Sequence, residues 1–226
     1  MVVGLVITFF FLLLLLHNYS KAIIWIAMTL QFLSYLGTGI GGLKIFNIVV
    51  AASILLFFVN KKKISQDPYP KPLVYGSVLF IFSFLITSYS SGWMSLPTVI
   101  SNIMTYFLFP FLLWKSIKSS KELNLAINIF YYVIAIAIFW GIIEIILRRN
   151  VIFEVVESIF VLEDFTINAD TIRYGVKRCN SFFSYFSTYG VATFIAFIVF
   201  FTKGRWFPDK KHNYVALSIL CIIAAF

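Results

Sequence analysis

The stretch LNLAINIFYYVIAIAIFWGIIEIIL, residues 123–147, is the longest apolar run of this chain and decides its fold class. A helix needs about 20 predominantly apolar residues to cross the hydrocarbon core of a bilayer. This run has 25 residues, and a single carboxylate, Glu144, interrupts its second half. The run therefore predicts a membrane-spanning helix.

The composition of the whole chain supports the same class. The 226 residues are 61% hydrophobic and only 12% charged, whereas a soluble domain carries about 25% charged residues. The net charge of +9 arises largely from lysines in short loops between apolar runs, a distribution that reflects membrane topology rather than a nucleic-acid-binding surface. We therefore predict an integral membrane protein that contacts membrane lipid and binds no nucleic acid.

Seven further apolar segments flank this run and set the predicted architecture. With it, the segments are approximately 2–16, 22–36, 45–59, 73–90, 97–114, 123–147, 189–202 and 213–226. They predict an all-α protein, a polytopic transmembrane bundle of about eight spans that forms a single domain over residues 1–226. Several segments are shorter than about 20 residues, so we expect their ends to extend into the polar flanks. Pro110 should kink the fifth span.

Lysine and arginine in the short loops predict the orientation of the spans. The loops 60–72, 115–122 and 203–212 are rich in lysine and arginine and should share the cytoplasmic side. The long loop 148–188 then lies on the extracytoplasmic side. The same count places the N-terminus outside, unless the first two short segments form one re-entrant unit, in which case the N-terminus lies inside.

The long loop separates its charges by sign. Its acids are Glu154, Glu157, Glu163, Asp164 and Asp170. After them, Arg173, Lys177 and Arg178 fall within six residues. Basic clusters normally stay on the cytoplasmic side, so an outward cluster suggests a function. Because the guanidinium fork matches phosphate oxygens, we interpret the cluster as a pyrophosphate site at headgroup depth, with lipid headgroups or the upstream acids as alternative partners.

Glu144 and Arg148 mark the junction between the 123–147 run and this loop. They are four residues apart, a spacing that lets them pair across one helical turn. The pair either anchors the helix end at the membrane interface or lets Glu144 orient an arginine of the loop. Other ionisable groups are scarce at mid-membrane depth, which argues against an ion-coupled transporter.

A glycine-rich stretch and two cysteines are the remaining features that could form a site. Residues 37–42, GTGIGG, lack the strand and the Lys-Ser/Thr pair of a phosphate-binding loop, so we interpret them as a tight turn. Cys179 lies in the long loop and Cys221 inside a late apolar run. The two thiols are not expected to meet, and we predict no disulfide.

The segment that follows the basic cluster carries a family resemblance. Residues 178–191, RCNSFFSYFSTYGV, run directly into an apolar segment and resemble a motif of the O-antigen ligase and polymerase family. In that family an arginine precedes a small residue and an aromatic, and a polar turn and a glycine then lead into the next helix. Residues 141–144, GIIE, and the charged loop between them also look like the family. The specific resemblance covers about 14 residues, and the proline common in the family's turn is absent from residues 184–188.

This resemblance implies a multi-pass glycosyltransferase of the bacterial inner (cytoplasmic) membrane. Such enzymes move a glycan from an undecaprenyl-pyrophosphate carrier to lipid A-core or to another repeat unit, without a metal or another cofactor. By position, Arg178 is the implied catalytic and pyrophosphate-binding residue. Arg173 and Lys177 are added to the binding site because they are its neighbours, and Glu144 and Arg148 as supporting residues. Ligase and polymerase activities remain equally open.

The resemblance also implies a base, which the ligases are expected to supply from a histidine in a later outer loop. His17 and His212 both fall in loops assigned to the cytoplasm. Together with the apolar C-terminal residues, this predicts that the chain is the front part of a longer protein and is inactive alone. The alternatives are a transporter or flippase for a lipid-linked glycan and a non-catalytic, truncated membrane protein of polysaccharide assembly.

Overall fold

The computed structural model describes residues 2–30, 45–60, 68–90, 99–100, 103–150, 154, 172–173, 176–177, 181, 186–207 and 212–225. Its α-helices are α1 (Val2–His17), α2 (Tyr19–Trp25), α3 (Ile45–Val59), α4 (Lys71–Ser90), α5 (Phe109–Ser116), α6 (Ser120–Leu147), α7 (Phe186–Trp206) and α8 (Tyr214–Ala225). Two strands of two residues each, β1 (Ile172–Arg173) and β2 (Val176–Lys177), form an antiparallel pair. The all-α class is confirmed for the described residues, with this short pair as the one addition.

Several helices follow the predicted apolar segments closely. The segments 22–36 and 97–114 differ, because the first is described as the end of α2 and a π-helix over Ile26–Leu30, and the second includes most of the short α5. The helix α3 coincides with the predicted segment 45–59, and α1 and α4 match theirs to within two residues. The helix α6 begins at Ser120, and α7 extends over Phe186–Trp206 rather than 189–202. These extensions are the expected ones, because a helix continues through polar flanks as long as its backbone hydrogen bonds can be made.

One described helix, α6, is long and apolar enough to cross a membrane. Of its most apolar 18-residue stretch, 39% is buried within the protein, so most of this surface faces outward. The helix α4 is exposed along its length at apolar side chains that include Leu73, Val78, Leu79, Phe80, Phe82 and Ile86. Large apolar patches are rarely exposed on soluble monomers and mark contacts with protein or membrane.

Pro110 lies at a change of helix type. A π-helix over Met104–Leu108 leads directly into α5, and Pro110 occupies one of the first two positions of α5. Proline has no N–H, so the carbonyl four residues earlier loses its helical donor. That carbonyl belongs to Tyr106, and it accepts a long hydrogen bond of 3.5 Å from the Ser77 hydroxyl of α4. The kink expected at Pro110 stays a prediction, and the irregularity that the structure describes next to it is the π-helix over Met104–Leu108.

The described helices divide into two compact units. The first comprises Met1–Ala27 and Gly39–Asn124. Within it, the phenol of Tyr19 on α2 donates a 2.9 Å hydrogen bond to the Ser53 carbonyl on α3. The rings of Phe46 on α3 and Phe109 on α5 meet edge to face at 5.1 Å. These contacts join α2, α3 and α5.

The second unit comprises Met28–Thr38 and Leu125–Phe226 and contains most of α6 with α7 and α8. Its buried core is made of Phe130, Ile134, Ala137, Ile138, Tyr189, Ala192, Ala196, Phe200, Tyr214, Leu217 and Cys221. The small residues among them, Ala137, Ala192 and Ala196, let the helix backbones approach closely. Cys221 is a buried free thiol, and Cys179 lies outside the described residues.

Candidate functional site

The candidate site begins where α6 ends. The helix stops at Leu147, and Arg148 adopts a left-handed conformation with φ 53°. A left-handed residue just past the last helical turn is a common helix terminator, although glycine usually fills that position because a side chain there is strained. The chain therefore turns sharply at Arg148, so Arg148 does not continue the helix one turn beyond Glu144.

Ser181 packs against the last turns of α6, although 37 residues separate it from Glu144 in sequence. Its backbone N–H donates a 2.7 Å hydrogen bond to Oε2 of Glu144. Its hydroxyl donates a 2.7 Å hydrogen bond to the backbone carbonyl of Ala137. Ala137 and Glu144 are seven residues apart, which places them on one face of the helix.

Gly141, which is buried, lies between these two contacts on the same face. A helical side chain covers the turn that precedes its own Cα, so a side chain at position 141 would lie over the Ala137 turn. Glycine leaves the Ala137 carbonyl accessible to the Ser181 hydroxyl. The GIIE segment thus supplies the Glu144 carboxylate to Ser181, and its glycine leaves room for the hydroxyl bond to Ala137.

Asn150 completes the set of contacts. Its side-chain Nδ2 donates a 2.8 Å hydrogen bond to the Ser181 carbonyl, and its own carbonyl accepts a 3.2 Å bond from the Glu154 N–H. The Glu154 carboxylate in turn lies 3.6 Å from the Arg149 guanidinium in an exposed ion pair. We call the three hydrogen bonds of Ser181 to Ala137, Glu144 and Asn150 the Ser181 anchor.

The bonds of Ser181 to Glu144 and Ala137 are buried, and the bond from Asn150 is partly buried. Glu144 is 4% exposed and Ser181 1% exposed. A buried carboxylate is costly unless hydrogen bonds compensate for its lost hydration, and bonds to charged groups are the stronger ones, worth about 1.5–3 kcal/mol each. The 2.7 Å bond from the Ser181 N–H is such a compensation.

The short strand pair brings two of the basic residues together. Ile172 pairs with Lys177 and Arg173 pairs with Val176. Arg173 and Lys177 therefore occupy consecutive rungs of one antiparallel ladder. The backbones of neighbouring rungs are a few ångströms apart, since a strand rises about 3.4 Å per residue. The hairpin therefore places the backbones of Arg173 and Lys177 close together.

Sequence reasoning identified some of these residues and missed others. It singled out Glu144, Arg173 and Lys177, and Arg178 lies outside the described residues. It missed Ser181 and Asn150 as structural partners, although Ser181 stands inside the motif that carries the family resemblance. An asparagine shortly after a helix end, and a serine three residues after the arginine, are weak signals because both residue types are common in turns.

The described residues contain no group of three or more His, Cys, Asp or Glu side chains able to hold a metal ion. His212 lies just before α8 and contacts a different part of α6, where its Nε2 is 3.0 Å from the Tyr132 hydroxyl. Tyr132 and Glu144 are twelve residues apart, or about 18 Å along the helix axis. His212 and Ser181 therefore contact α6 at two separate places.

Comparison of the chain with protein-family models, with curated proteins and with solved structures found no match. The chemistry of the site is therefore argued from its own residues.

Proposed function

We propose that this chain is a multi-pass protein of the bacterial inner membrane that binds the pyrophosphate of an undecaprenyl-linked glycan in a glycosyltransferase of the O-antigen ligase or polymerase type. The observation that carries the proposal is the basic cluster itself, since Arg173, Lys177 and Arg178 fall within six residues and the backbones of the first two belong to one short hairpin. Cationic residues so close in sequence suit the two phosphates of a carrier lipid.

The apolar exterior supports the membrane setting of the proposal. The exposed apolar side chains of α4 and the length of α6 are what lipid-facing helices require. The lysine-rich short loops favour an orientation in which the loop 148–188 faces outward. In that orientation the basic cluster lies at the membrane surface, at the depth of the carrier's pyrophosphate.

The proposed chemistry needs positive charge more than it needs a nucleophile. When a glycan leaves its carrier, negative charge develops on the pyrophosphate. Preorganised cations stabilise that charge in the transition state. Arg178 is the proposed catalytic residue for this role, with Arg173 and Lys177 as binding partners. A general base for the acceptor hydroxyl is not assigned among the residues of the site.

Binding of the carrier tests this proposal. The chain in lipid nanodiscs should bind undecaprenyl pyrophosphate more tightly than undecaprenol, which lacks the phosphates. Because a charge-assisted bond contributes about 1.5–3 kcal/mol, Arg178→Ala should weaken pyrophosphate binding by about tenfold or more. Arg178→Lys should restore it only in part, since lysine cannot form the bidentate contact.

Arg205 provides the matched control. It lies in the last turn of α7, with its guanidinium 5.9 Å from the Trp206 ring. The segment 203–212, which contains it, is predicted from its lysines and arginines to lie on the cytoplasmic side. Arg205→Ala removes the same charge and should leave carrier binding unchanged. Equal losses for Arg178→Ala and Arg205→Ala would mean that net charge alone attracts the lipid, and the proposed site would be wrong.

A further inference from the structure

The Ser181 anchor uses all the main polar groups of one residue. The N–H and the hydroxyl of Ser181 donate to Glu144 and to Ala137, and its carbonyl accepts from Asn150. Two of these contacts reach α6 itself, and the third reaches the turn that follows it. A residue held on three sides in this way has little freedom to move relative to the helix.

The backbone of Ser181 is also left-handed, with φ 52°. Non-glycine residues rarely adopt this conformation, and they keep it only when their surroundings determine it. The three hydrogen bonds provide that determination. Strain that is maintained by a buried network is common where a protein fixes the geometry of a site.

The anchor lies very close in sequence to the proposed catalytic arginine. Arg178 precedes Ser181 by three residues, and three residues of chain span at most about 11 Å. A fixed point at Ser181 therefore limits the volume that the Arg178 backbone can reach. Limiting that volume before the ligand arrives lowers the ordering cost of binding.

We infer that Glu144 and Asn150 are positioning residues, which hold Ser181 and so preorganise Arg178 to receive the pyrophosphate. This inference rests on the proposed function and adds which residues hold Arg178 in position. Neither Glu144 nor Asn150 needs to touch the substrate. Their carboxylate and amide act through the backbone of Ser181, as supporting residues of a preorganised site do.

The native thiol of Cys179 reports on the anchor independently of substrate, because it precedes Ser181 by two residues. Its reaction rate with a membrane-impermeant maleimide is measured on the chain in nanodiscs. If labelling follows local opening, Asn150→Ala should raise the rate about two- to tenfold, the range that loss of one hydrogen bond produces. Glu144→Ala should raise it further, and Glu144→Gln, which keeps an acceptor oxygen, should raise it less.

Asn60→Ala is the matched control for the loss of an asparagine. The side chain of Asn60 donates to the Leu56 carbonyl of its own helix end, at 2.9 Å, and its replacement should leave Cys179 labelling unchanged. Where Glu144→Ala fails to fold, Glu144→Gln and Asn150→Ala carry the test. Unchanged labelling in both of those folded variants would overturn the anchor.

Carrier binding then separates positioning from simple structural support. Asn150→Ala should weaken binding of undecaprenyl pyrophosphate, and the double variant Asn150→Ala/Arg178→Ala should bind no worse than Arg178→Ala alone, because both changes act through one arginine. Additive losses, or faster Cys179 labelling with unchanged binding, would overturn the positioning role. If Arg178→Ala itself has no effect, the proposed function fails, whereas the labelling rates still decide whether the anchor exists.

Discussion

At the scale of single residues, the backbone conformation of Ser181 lowers the stability of the fold and its hydroxyl bond raises it. Its left-handed backbone costs roughly 1–2 kcal/mol for an L-residue, and its buried hydroxyl bond to the Ala137 carbonyl returns about 1 kcal/mol. Serine is thus kept at this position by its hydrogen bonds and not by its backbone preference. The two contributions can be separated by replacing the residue in two ways.

Ser181→Ala removes the hydroxyl and keeps the strained Cβ, whereas Ser181→Gly removes both. We expect the alanine variant to be the less stable of the two by about 1 kcal/mol, because only glycine adopts the left-handed conformation without strain. Thermal unfolding of the purified chain in detergent measures the difference. Ser53→Ala is the control, since the Ser53 hydroxyl bonds within its own helix to the Val49 carbonyl at 2.7 Å. A glycine variant less stable than the alanine variant would contradict the left-handed assignment.

The same residues show what a sequence can and cannot predict about a site. Glu144 stands out because a carboxylate in an apolar run is expensive and needs a partner. The partner itself is not readable from local spacing, since the helical rule favours Arg148, four residues on. A partner that the structure shows is the backbone of Ser181, 37 residues away. Contacts between a helix and a distant loop depend on tertiary packing, which periodicity does not encode.

At the scale of elements, α7 and α8 meet through a glycine. A Cβ built on Gly204 would lie 2.8 Å from Cγ2 of Val215 and 3.2 Å from the Val215 backbone nitrogen. Because the backbone nitrogen belongs to the first turn of α8, it cannot yield without moving that helix. Gly204 is therefore required by the close approach of the two helices.

Gly204→Ala should destabilise the α7–α8 pair by about 1–3 kcal/mol, the usual cost of overpacking. Gly76→Ala in α4 is the matched control, because nothing lies within 4 Å of its added Cβ and alanine favours the helix by about 1 kcal/mol. Thermal unfolding of both variants in the same detergent should therefore show opposite signs. A neutral Gly204→Ala variant would show that the two helices are farther apart than described.

A second contact holds the start of α8 against α6. His212 packs edge to face on the Tyr131 ring at 5.0 Å, and its Nε2 shares the 3.0 Å hydrogen bond with Tyr132. Tyr132→Phe keeps the ring and deletes the hydroxyl, so it should lower the unfolding free energy by about 0.5–1.5 kcal/mol. Tyr75→Phe, on an exposed residue of α4, should have no measurable effect. Similar unfolding temperatures for the two variants would show that the hydrogen bond between His212 and Tyr132 does not stabilise the protein.

Helix positions were largely predictable at this scale, and details of helix geometry were not. Long apolar runs bounded by charge predict helices well, as α3 and α6 show, because every backbone group in such a run must find its partner within the helix. Pro110 signals an irregularity in the fifth apolar segment, but proline alone does not distinguish a kink from a π-helix. The π-helix over Met104–Leu108 was therefore not predictable from the sequence.

At the scale of the whole molecule, charge and apolar surface together favour a membrane protein, and the multi-pass arrangement is part of the proposal. Apolar side chains cover the exteriors of α1, α4 and α7, and the lysines and arginines gather in a few short loops. The helix α6 alone connects the loop 115–122 with the loop 148–188. If α6 crosses the membrane and 115–122 lies in the cytoplasm, the basic cluster lies on the outer side.

Thiol labelling in intact bacterial cells determines on which side of the membrane each end of α6 lies. A membrane-impermeant maleimide should label the native Cys179, and a cysteine introduced by Lys118→Cys should react only after the cells are permeabilised. Cys179→Ser gives the background, to which the buried Cys221 should add little. Labelling of Cys179 only in opened cells would place the loop 148–188 in the cytoplasm, away from an outward-facing carrier pyrophosphate. Labelling of both positions in intact cells would mean that α6 does not cross the membrane, because residues 118 and 179 would then share one side.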